Sequence, residues 1–415
     1  QYFKVYNTND RKLLINTITL SGGDASYFKI NADGFTGPQV THLEMEANDS
    51  LYVFVTVNIN PSAANLPFIV EDSIKIVFNG NQKWVKLQAW GQNAHFLSSS
   101  AINTNTAWTN DKPYVITGGL LIGENATLTI QKGTKIYLHA DAPVFVDGTI
   151  VAAGERYDST KIIFSGDRLD NPYSDYPAAW PGLYFRDKSK NNMLQYVIIK
   201  NAYQGIVVQN PASNSNPKLT LNATIINNCY DAGLIGIATS IDATNCLISN
   251  CGKNILIADG GEYHFAHCTD AAYSNTLIVH KQPVLGLGNL LKVGNNIAVS
   301  DLNATFKNCI FWGDNGVVTD EVVSVKENSA AFNAAFTNCL WKVTAPPEGT
   351  TAIGMIENAD PVFISIDTRK EMYDFHLQET SPAINTGAII GVLTDLNGNA
   401  RDPNFPDIGA YESAF

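Results

Sequence analysis

Five of the six cysteines directly follow an asparagine, and this recurrence limits the possible folds more than any other feature of the chain. The pairs end at Cys229, Cys246, Cys251, Cys309 and Cys339, whereas Cys268 follows His267. Short apolar runs end at Asn201, Asn228, Asn250 and His267, with spacings of 27, 22 and 17 residues. No segment shows a sustained helical period. Short strands repeated at intervals of about 20 to 27 residues predict a parallel β-helix.

The cysteines are predicted to stack in two columns along this β-helix. Cys229, Cys251 and Cys268 form one column, and Cys246, Cys309 and Cys339 form the other. Coils stack about 4.8 Å apart, a distance that permits a disulfide, but parallel side chains in one stack favour free thiols. The asparagines are expected to bond from coil to coil at the turns, with His267 in the place of one of them.

The first 90 residues have a different pattern. Seven runs alternate apolar with polar residues and are separated by Gly, Asn and Pro turns, which predicts a β-sandwich. No cysteine precedes Cys229, so the Cys and Trp spacing of an antibody-type domain is absent. We therefore expect an all-β chain with a sandwich at residues 1–95 and a β-helix at residues 96–415.

The charge of the chain limits its partners. The 27 Lys and Arg residues are outnumbered by 39 Asp and Glu residues, and the net charge is -12. Such a chain has no basic face for nucleic acid or for an anionic membrane. No apolar stretch reaches the length of a spanning helix, and the chain starts at Gln1 without a signal-like segment. We expect an exported monomer whose export signal has been removed.

Four segments of the chain form characteristic motifs, at residues 90–94, 111–116, 128–134 and 165–169. Together they resemble a family of Bacteroidetes cell-surface proteins with an N-terminal Ig-like domain and a right-handed parallel β-helix. Residues 381–387, 395–401 and 407–412 resemble the closing motif of secreted bacterial β-helices. The resemblance implies a cell-surface or outer-membrane lipoprotein, held by a lipid anchor upstream of Gln1. Members are mostly of unknown function, and some are named after IgA1 proteases or adhesins.

Signatures of known catalytic chemistry are missing from the sequence. The chain has no Gly-His-Gly of a polygalacturonase-like site and no Gly-x-Ser-x-Gly of a serine hydrolase. His264 and His267 are three residues apart on a predicted strand, so they face opposite sides and do not form a zinc pair. We therefore assign no cofactor from the sequence, and Ca²⁺ is the candidate that remains.

Residues 167–182 form the segment that most suggests a site. Three carboxylates there are candidate Ca²⁺ ligands, and three aromatic side chains are candidate sugar platforms. These residues are Asp167, Asp170 and Asp175, and Tyr173, Tyr176 and Trp180. The alternative is a loop that covers a sheet edge, with Asp caps and packed aromatic side chains.

Basic residues follow this loop and complete a candidate catalytic set. Arg186, Lys188 and Lys190 could neutralise a uronate and abstract its C5 proton, as a Ca²⁺-assisted lyase requires. Asp170 and Asp175 are the candidate catalytic carboxylates. The closing motif also contains carboxylates, but it lacks the order of an EF-hand loop. We expect it to cap the end of the solenoid, with Arg401 pairing with a carboxylate.

The leading hypothesis is a non-enzymatic surface protein. In this hypothesis the sandwich is a spacer and the β-helix binds a glycan, or a host or cell-surface ligand, along one face. The alternative is a polysaccharide lyase or glycoside hydrolase that uses the carboxylates of the 167–182 loop. A structural envelope component without a ligand is a third possibility.

Overall fold

The computed structural model describes residues 1–58, 68–91, 93–314 and 316–414. Gln92, which belongs to the 90–94 motif, lies outside these residues, and for Trp90 only the backbone is described. The chain divides into two compact units, Gln1–Ala94 and His95–Phe415. Helix in the described part consists of two single 3-10 turns, Gly23–Ala25 and Tyr173–Asp175. The protein is therefore nearly all-β.

The first unit contains two antiparallel sheets, each with four strands among the described residues. One sheet has the order Tyr2–Tyr6, Ser50–Val57, Phe28–Ala32 and Phe35–Thr36. The other has the order Gln39–Met45, Leu13–Leu20, Phe68–Phe78 and Asn81–Gly91. Buried side chains of both sheets, such as Ile18 and Ile30, belong to one core. This arrangement is a β-sandwich, because each sheet buries one face against the other.

The second unit winds into coils of three strands, and 26 described strands form one continuous sheet. Nearly every strand pairs in parallel with the corresponding strand of the next coil, which is the pattern of a parallel β-helix. We name its three sides face A, face B and face C. Tyr114–Ile122, Ala232–Thr244 and Ile255–Ala266 each turn a corner and contribute to two faces, and His95–Ile102 pairs along Tyr114–Ile122.

The remaining strands of the β-helix belong to one face each. Face A contains Lys135–Leu138, Ile162–Gly166, Val197–Lys200, Ile225–Asn227, Leu247–Ser249, Thr269–Tyr273, Ile310–Asp314, Leu340–Trp341 and Ile356–Glu357. Face B contains Val144–Val146, Leu183–Phe185, Gln204–Gln209, Leu285–Gly288 and Val322–Val325. Face C contains Thr106–Trp108, Thr127–Gln131, Thr149–Ala153, Asn192–Gln195, Leu219–Asn222, Leu302–Lys307, Phe332–Thr337 and Thr350–Ile353. Two hairpins lie outside the coils, Leu290–Val293 with Asn296–Val299 and Phe363–Asp367 with Met372–Leu377.

The corners between the faces are turned by residues in the left-handed backbone region, which asparagine tolerates better than most residues. The A–B corner is turned by Asn201, Asn228 and Asn250. The C–A corner is turned by Tyr196, Ala223, Asn245, His267, Asn308 and Asn338. The B–C corner is turned by Asn210, Ala238 and Asp259. The predicted coil-to-coil amide bonds occur at two corners: Asn228 donates to Asn201 Oδ1 (2.9 Å), and Asn308 donates to His267 Nε2 (2.9 Å).

The cysteine columns differ from the prediction at one position. Cys229 and Cys251 stack beside the A–B corner, where the backbone N–H of Cys229 lies 3.4 Å from Cys251 Sγ. Cys268 belongs to the other column, beside the C–A corner, with Cys246, Cys309 and Cys339. The reason is that the 17 residues from Asn250 to His267 run from the A–B corner, past the B–C corner at Asp259, to the C–A corner of a single coil. All six cysteines are buried free thiols.

The interior of the β-helix is filled by columns of apolar side chains. Phe265, Phe306 and Phe336 stack on successive coils, with ring centroids 5.2 and 4.7 Å apart. Each ring is at most 2% exposed. Burial of such a side chain stabilises the folded state by roughly 1.5–3 kcal/mol. The rigidity of this core fixes the positions of the outward side chains that alternate with it.

The closing motif does not cap the end of the solenoid. The C-terminal strap, residues 384–412, runs along the C–A corner across successive coils. Asn338 donates to the carbonyl of Thr386 (3.3 Å), and Asn245 donates to the carbonyl of Thr394 (2.7 Å). The buried Arg401 pairs with Glu412 at 3.1 Å. The prediction of an end cap was wrong because the outer side of face A is apolar and needs a lateral cover, which Ile408 and neighbouring residues provide.

Candidate functional site

A groove crosses several coils on the outer side of face C. It consists of two cavities, of about 620 and 270 Å³, and both are lined by Asp242 and His264. Residues 211–217 form one wall, and Ile390 and Val392 of the strap line the other side. Its other polar lining residues include Asn214, Ser240, Glu262, Asp301, Asn303 and Lys307. An open groove along stacked coils suits an extended ligand.

The floor of the groove follows from the two-residue alternation of a strand. Asp242, His264 and Thr305 occupy equivalent positions on three successive coils and point outward. Their neighbours, such as Ile241 and Phe265, are buried in the core. These three polar side chains are thus held on rigid strands, one on each of three coils.

Two carboxylates and an imidazole meet at the centre of the groove. Glu262 precedes His264 by two residues on the same strand and lies on the same side. Its Oε1 is 3.5 Å from His264 Nε2, and His264 Nδ1 is 2.9 Å from the hydroxyl of Thr305. His264 is therefore held from both sides, and Glu262 is oriented beside Asp242 of the preceding coil.

The two carboxyl groups have different environments. Partial burial raises the pKa of Asp242, and the Glu262 carboxylate acts in the same direction, while the nearby His264 opposes both. Glu262 is largely exposed to solvent. A carboxylic acid whose pKa is raised by burial is suited to donate a proton.

The wall at residues 211–217 is anchored by a buried lysine. The ammonium group of Lys218 donates to the carbonyls of Gln209 (2.7 Å), Arg186 (3.0 Å) and Asp187 (3.2 Å). Burial lowers the pKa of Lys218 to about 8. Gln209 precedes the wall and Lys218 follows it, so the bond between them holds the two ends of the wall together.

The predicted calcium ligands are not brought together. Asp167 accepts a hydrogen bond from His139 at 2.8 Å, and Asp170 forms a two-pronged pair with Arg168, with both contacts at 2.8 Å. Asp175 accepts a bond from the neighbouring Ser174. Among the described residues, no three His, Cys, Asp or Glu side chains form a group that could hold a metal ion.

The predicted aromatic platforms divide into two groups. Tyr173 and Tyr176 are exposed, with ring centroids 5.4 Å apart, and the Arg168 guanidinium lies over Tyr173. Trp180 is only 1% exposed, and its indole N–H donates to the carbonyl of Lys200 at 2.9 Å. Trp180 is therefore a core residue that attaches the loop, and it has no face open to a sugar.

The predicted basic groups also have partners outside the loop. Arg186 pairs with Asp147, where Nε lies 2.8 Å from Oδ1, and Lys188 lies 3.8 Å from Glu124. Both follow the strand Leu183–Phe185, whereas the loop carboxylates precede it. Among the described residues, neither Arg186 nor Lys188 forms an ion pair with Asp170 or Asp175.

Sequence reasoning missed the groove, although a signal was present. Asp242 and His264 are 22 residues apart, which is the spacing between Asn228 and Asn250 on the same two coils. Applied to outward residues, this period would have aligned the two side chains. The wall and the strap bring in residues from distant parts of the chain, which no local pattern predicts.

Comparisons with known proteins leave the family open. No family model matches the chain, and no curated protein matches it. One solved structure that it matches is the catalytic unit of a thermostable GH87 alpha-1,3-glucanase from Streptomyces thermodiastaticus strain HF3-3. The match has 12% identity, covers 89% of each chain and has a TM-score of 0.21. This likeness is too low to carry an argument. No helix in the described part of the chain has the length and hydropathy of a membrane span.

Proposed function

We propose that the β-helix binds a neutral glycan in the face C groove and hydrolyses it. The observation that carries this proposal is that Asp242 and Glu262 project into one groove from adjacent coils. Paired carboxylates on either side of a glycosidic bond are the usual machinery of glycoside hydrolysis. The proposal corresponds to the alternative reached from the sequence, but with different residues.

The environments of the carboxylates assign their roles. Asp242, whose pKa is raised by burial, donates a proton to the glycosidic oxygen, and the leaving sugar departs with that proton. Glu262 takes a proton from the water that attacks the anomeric carbon, and His264 positions Glu262. Glu262 lies two residues before His264, the register partner of Asp242, so the Cα atoms of Asp242 and Glu262 are about 8 Å apart. Activity falls as the pH rises through the pKa of Asp242.

The charge of the groove favours a neutral substrate. Asp242, Glu262 and Asp301 line it, and Lys307 is the cation of its smaller part. A uronate polymer would meet like charge along most of this surface. The calcium-assisted lyase therefore has less support than a hydrolase.

Binding without cleavage is the second candidate, and one observation favours it. Tyr203 and Tyr230 are exposed on adjacent coils with ring centroids 5.9 Å apart, a surface on which sugar rings can stack. In this proposal the protein is at the cell surface, as the family resemblance implies, and the first unit is an Ig-like spacer. The β-helix is then exposed to the glycans of that surface.

The two candidates are separated by cleavage assays on the full chain. The chain is incubated with neutral glucans, mannans, galactans and xylans, and new reducing ends are counted. We expect cleavage of at least one polymer, reduced ~100-fold or more in Glu262→Gln. Glu379→Gln, which changes an exposed carboxylate outside the groove, is the matched control and should retain full activity. Binding to these polymers with no reducing ends would reject the hydrolase and support the non-enzymatic protein.

A further inference from the structure

Another cavity, of about 260 Å³, lies at the A–B corner, apart from the groove. Its floor is formed by the corner residues Asn201, Asn228 and Asn250. Asp175 of the 167–182 loop lines it, as do Lys370 and Glu371, which connect the strands of the C-terminal hairpin. Thus the loop that sequence analysis selected does form part of a cavity, although with other partners than expected.

The loop is held in place by the corner asparagines themselves. Asn201 donates to the carbonyl of Ser174 at 2.7 Å, and Asn228 donates to the carbonyl of Asp175 at 2.8 Å. Trp180 anchors the C-terminal part of the same loop in the core. The cavity is therefore preformed by hydrogen bonds and packing rather than left between loosely placed segments.

The side-chain amide oxygen of Asn227, which lines this cavity, is buried and has no hydrogen-bond partner among the described residues. The hydroxyl of Tyr373, another lining residue, lies beside the side chain of Asn275. A buried polar group without a partner costs free energy comparable to a lost hydrogen bond. A ligand hydroxyl that reached the Asn227 oxygen would supply the missing donor, and the Tyr373 hydroxyl and the Asn275 amide offer further hydrogen bonds.

We infer that this cavity binds one neutral sugar ring. Its carboxamides both donate and accept hydrogen bonds, which matches the two-way bonding of sugar hydroxyls. Lys200 and Lys370 balance Asp175 and Glu371, so the lining does not favour a charged ligand. At ~30 Å³ per water molecule, the volume holds about nine waters, enough for a single sugar ring and too little for a folded segment.

The exposed tyrosines suggest how a longer glycan continues from this cavity. Tyr203 and Tyr230 lie two residues beyond Asn201 and Asn228, with exposed fractions of 45% and 53%. Their stacked rings offer an apolar surface to the C–H face of a further sugar. The site does not depend on the groove, and it explains why the corner and the loop present amides and tyrosines together.

The test uses saturation-transfer NMR on the full chain with free glucose, galactose and mannose at millimolar concentration, with glucuronate as the charged comparison. We expect saturation of at least one neutral hexose, in preference to glucuronate. Tyr373→Phe and Asn227→Ala should each weaken its binding ~3- to 10-fold, the effect of one lost hydrogen bond. Tyr373→Phe removes a single hydroxyl, and Asn227→Ala removes an amide whose oxygen has no partner in the structure, so folding should be retained.

Control variants separate this site from the groove. Asp242→Asn should leave hexose binding unchanged, and Tyr373→Phe should leave cleavage of a polymer unchanged. The inference fails if none of the three hexoses binds, if glucuronate binds better, or if neither Tyr373→Phe nor Asn227→Ala weakens binding. If Asp242→Asn alone abolishes hexose binding, the sugar occupies the groove and the corner site is rejected.

Discussion

The side-chain amide of Asn308 donates to Nε2 of His267 on the preceding coil, at 2.9 Å. His267 Nδ1 in turn lies 3.1 Å from the carbonyl of Asp407 in the strap. These two partners define a neutral imidazole that carries its proton on Nδ1. Burial, and the nearby Arg401, lower the pKa of His267 to about 3. A histidine thus occupies an asparagine position in the corner column and makes the strap sensitive to acid.

His267 should destabilise the β-helix as the pH falls. The unfolded chain takes up a proton at His267 near pH 6.5, whereas the folded chain does so only near pH 3. The unfolded state therefore binds more protons between these values, and the free energy of unfolding should fall by ~2 kcal/mol from pH 7 to pH 5. Denaturant unfolding of the wild type and of His267→Asn measures this, because asparagine keeps the corner geometry and does not titrate. An equal pH dependence in both proteins would contradict the assignment.

Trp180 should matter for stability and not for ligand contact. Trp180→Ala leaves a cavity in the core and should lower the free energy of unfolding by about 3–5 kcal/mol. Tyr176→Ala, on the exposed part of the same loop, should change it by no more than about 0.5 kcal/mol. Denaturant unfolding of the two variants provides the comparison. Similar effects of both substitutions would mean that Trp180 does not anchor the loop.

Lys218 should control the groove wall. Lys218→Met removes the ammonium donor from three part-buried carbonyls, of which that of Arg186 keeps the backbone N–H of Ser189, and should destabilise the protein by about 2–4 kcal/mol. It should also reduce cleavage of a polymer, because the wall loses its anchor. Lys253→Met removes a half-exposed lysine paired with Asp231 and serves as the control. Wild-type stability of Lys218→Met would contradict this role.

The thiol columns should be inert while the protein is folded. All six cysteines are buried, so a thiol reagent should label none of them in native buffer. The same reagent should label six thiols after denaturation without reductant. Labelling of four or fewer under those conditions would indicate that a disulfide joins two coils.

Sequence reasoning predicted the coils well because the repeat is a local signal. At the turns of Asn201, Asn228 and Asn250, for example, asparagine adopts the left-handed backbone conformation. Cys268 was placed in the wrong column because alignment on the ends of apolar runs does not distinguish one corner of a coil from the next. The period between equivalent positions can be found only when the number of strands in each coil is known.

The candidate site was less predictable because it depends on contacts between distant residues. The strap reaches Asn245 from Thr394, a separation that no short motif encodes. The 167–182 loop contained the right residue types, but its charges pair locally, as Asp170 does with Arg168. Tyr173 and Tyr176 remain predicted sugar contacts, now near the A–B corner cavity.

The central claim is that Asp242 is the acid of a hydrolytic groove. The most direct test compares wild type and Asp242→Asn on the best-bound neutral polysaccharide, measuring binding and new reducing ends in the same samples. The account predicts that Asp242→Asn binds within ~3-fold of wild type and cleaves at least ~100-fold more slowly. Undiminished cleavage by Asp242→Asn, or wild-type binding without any cleavage, would contradict it.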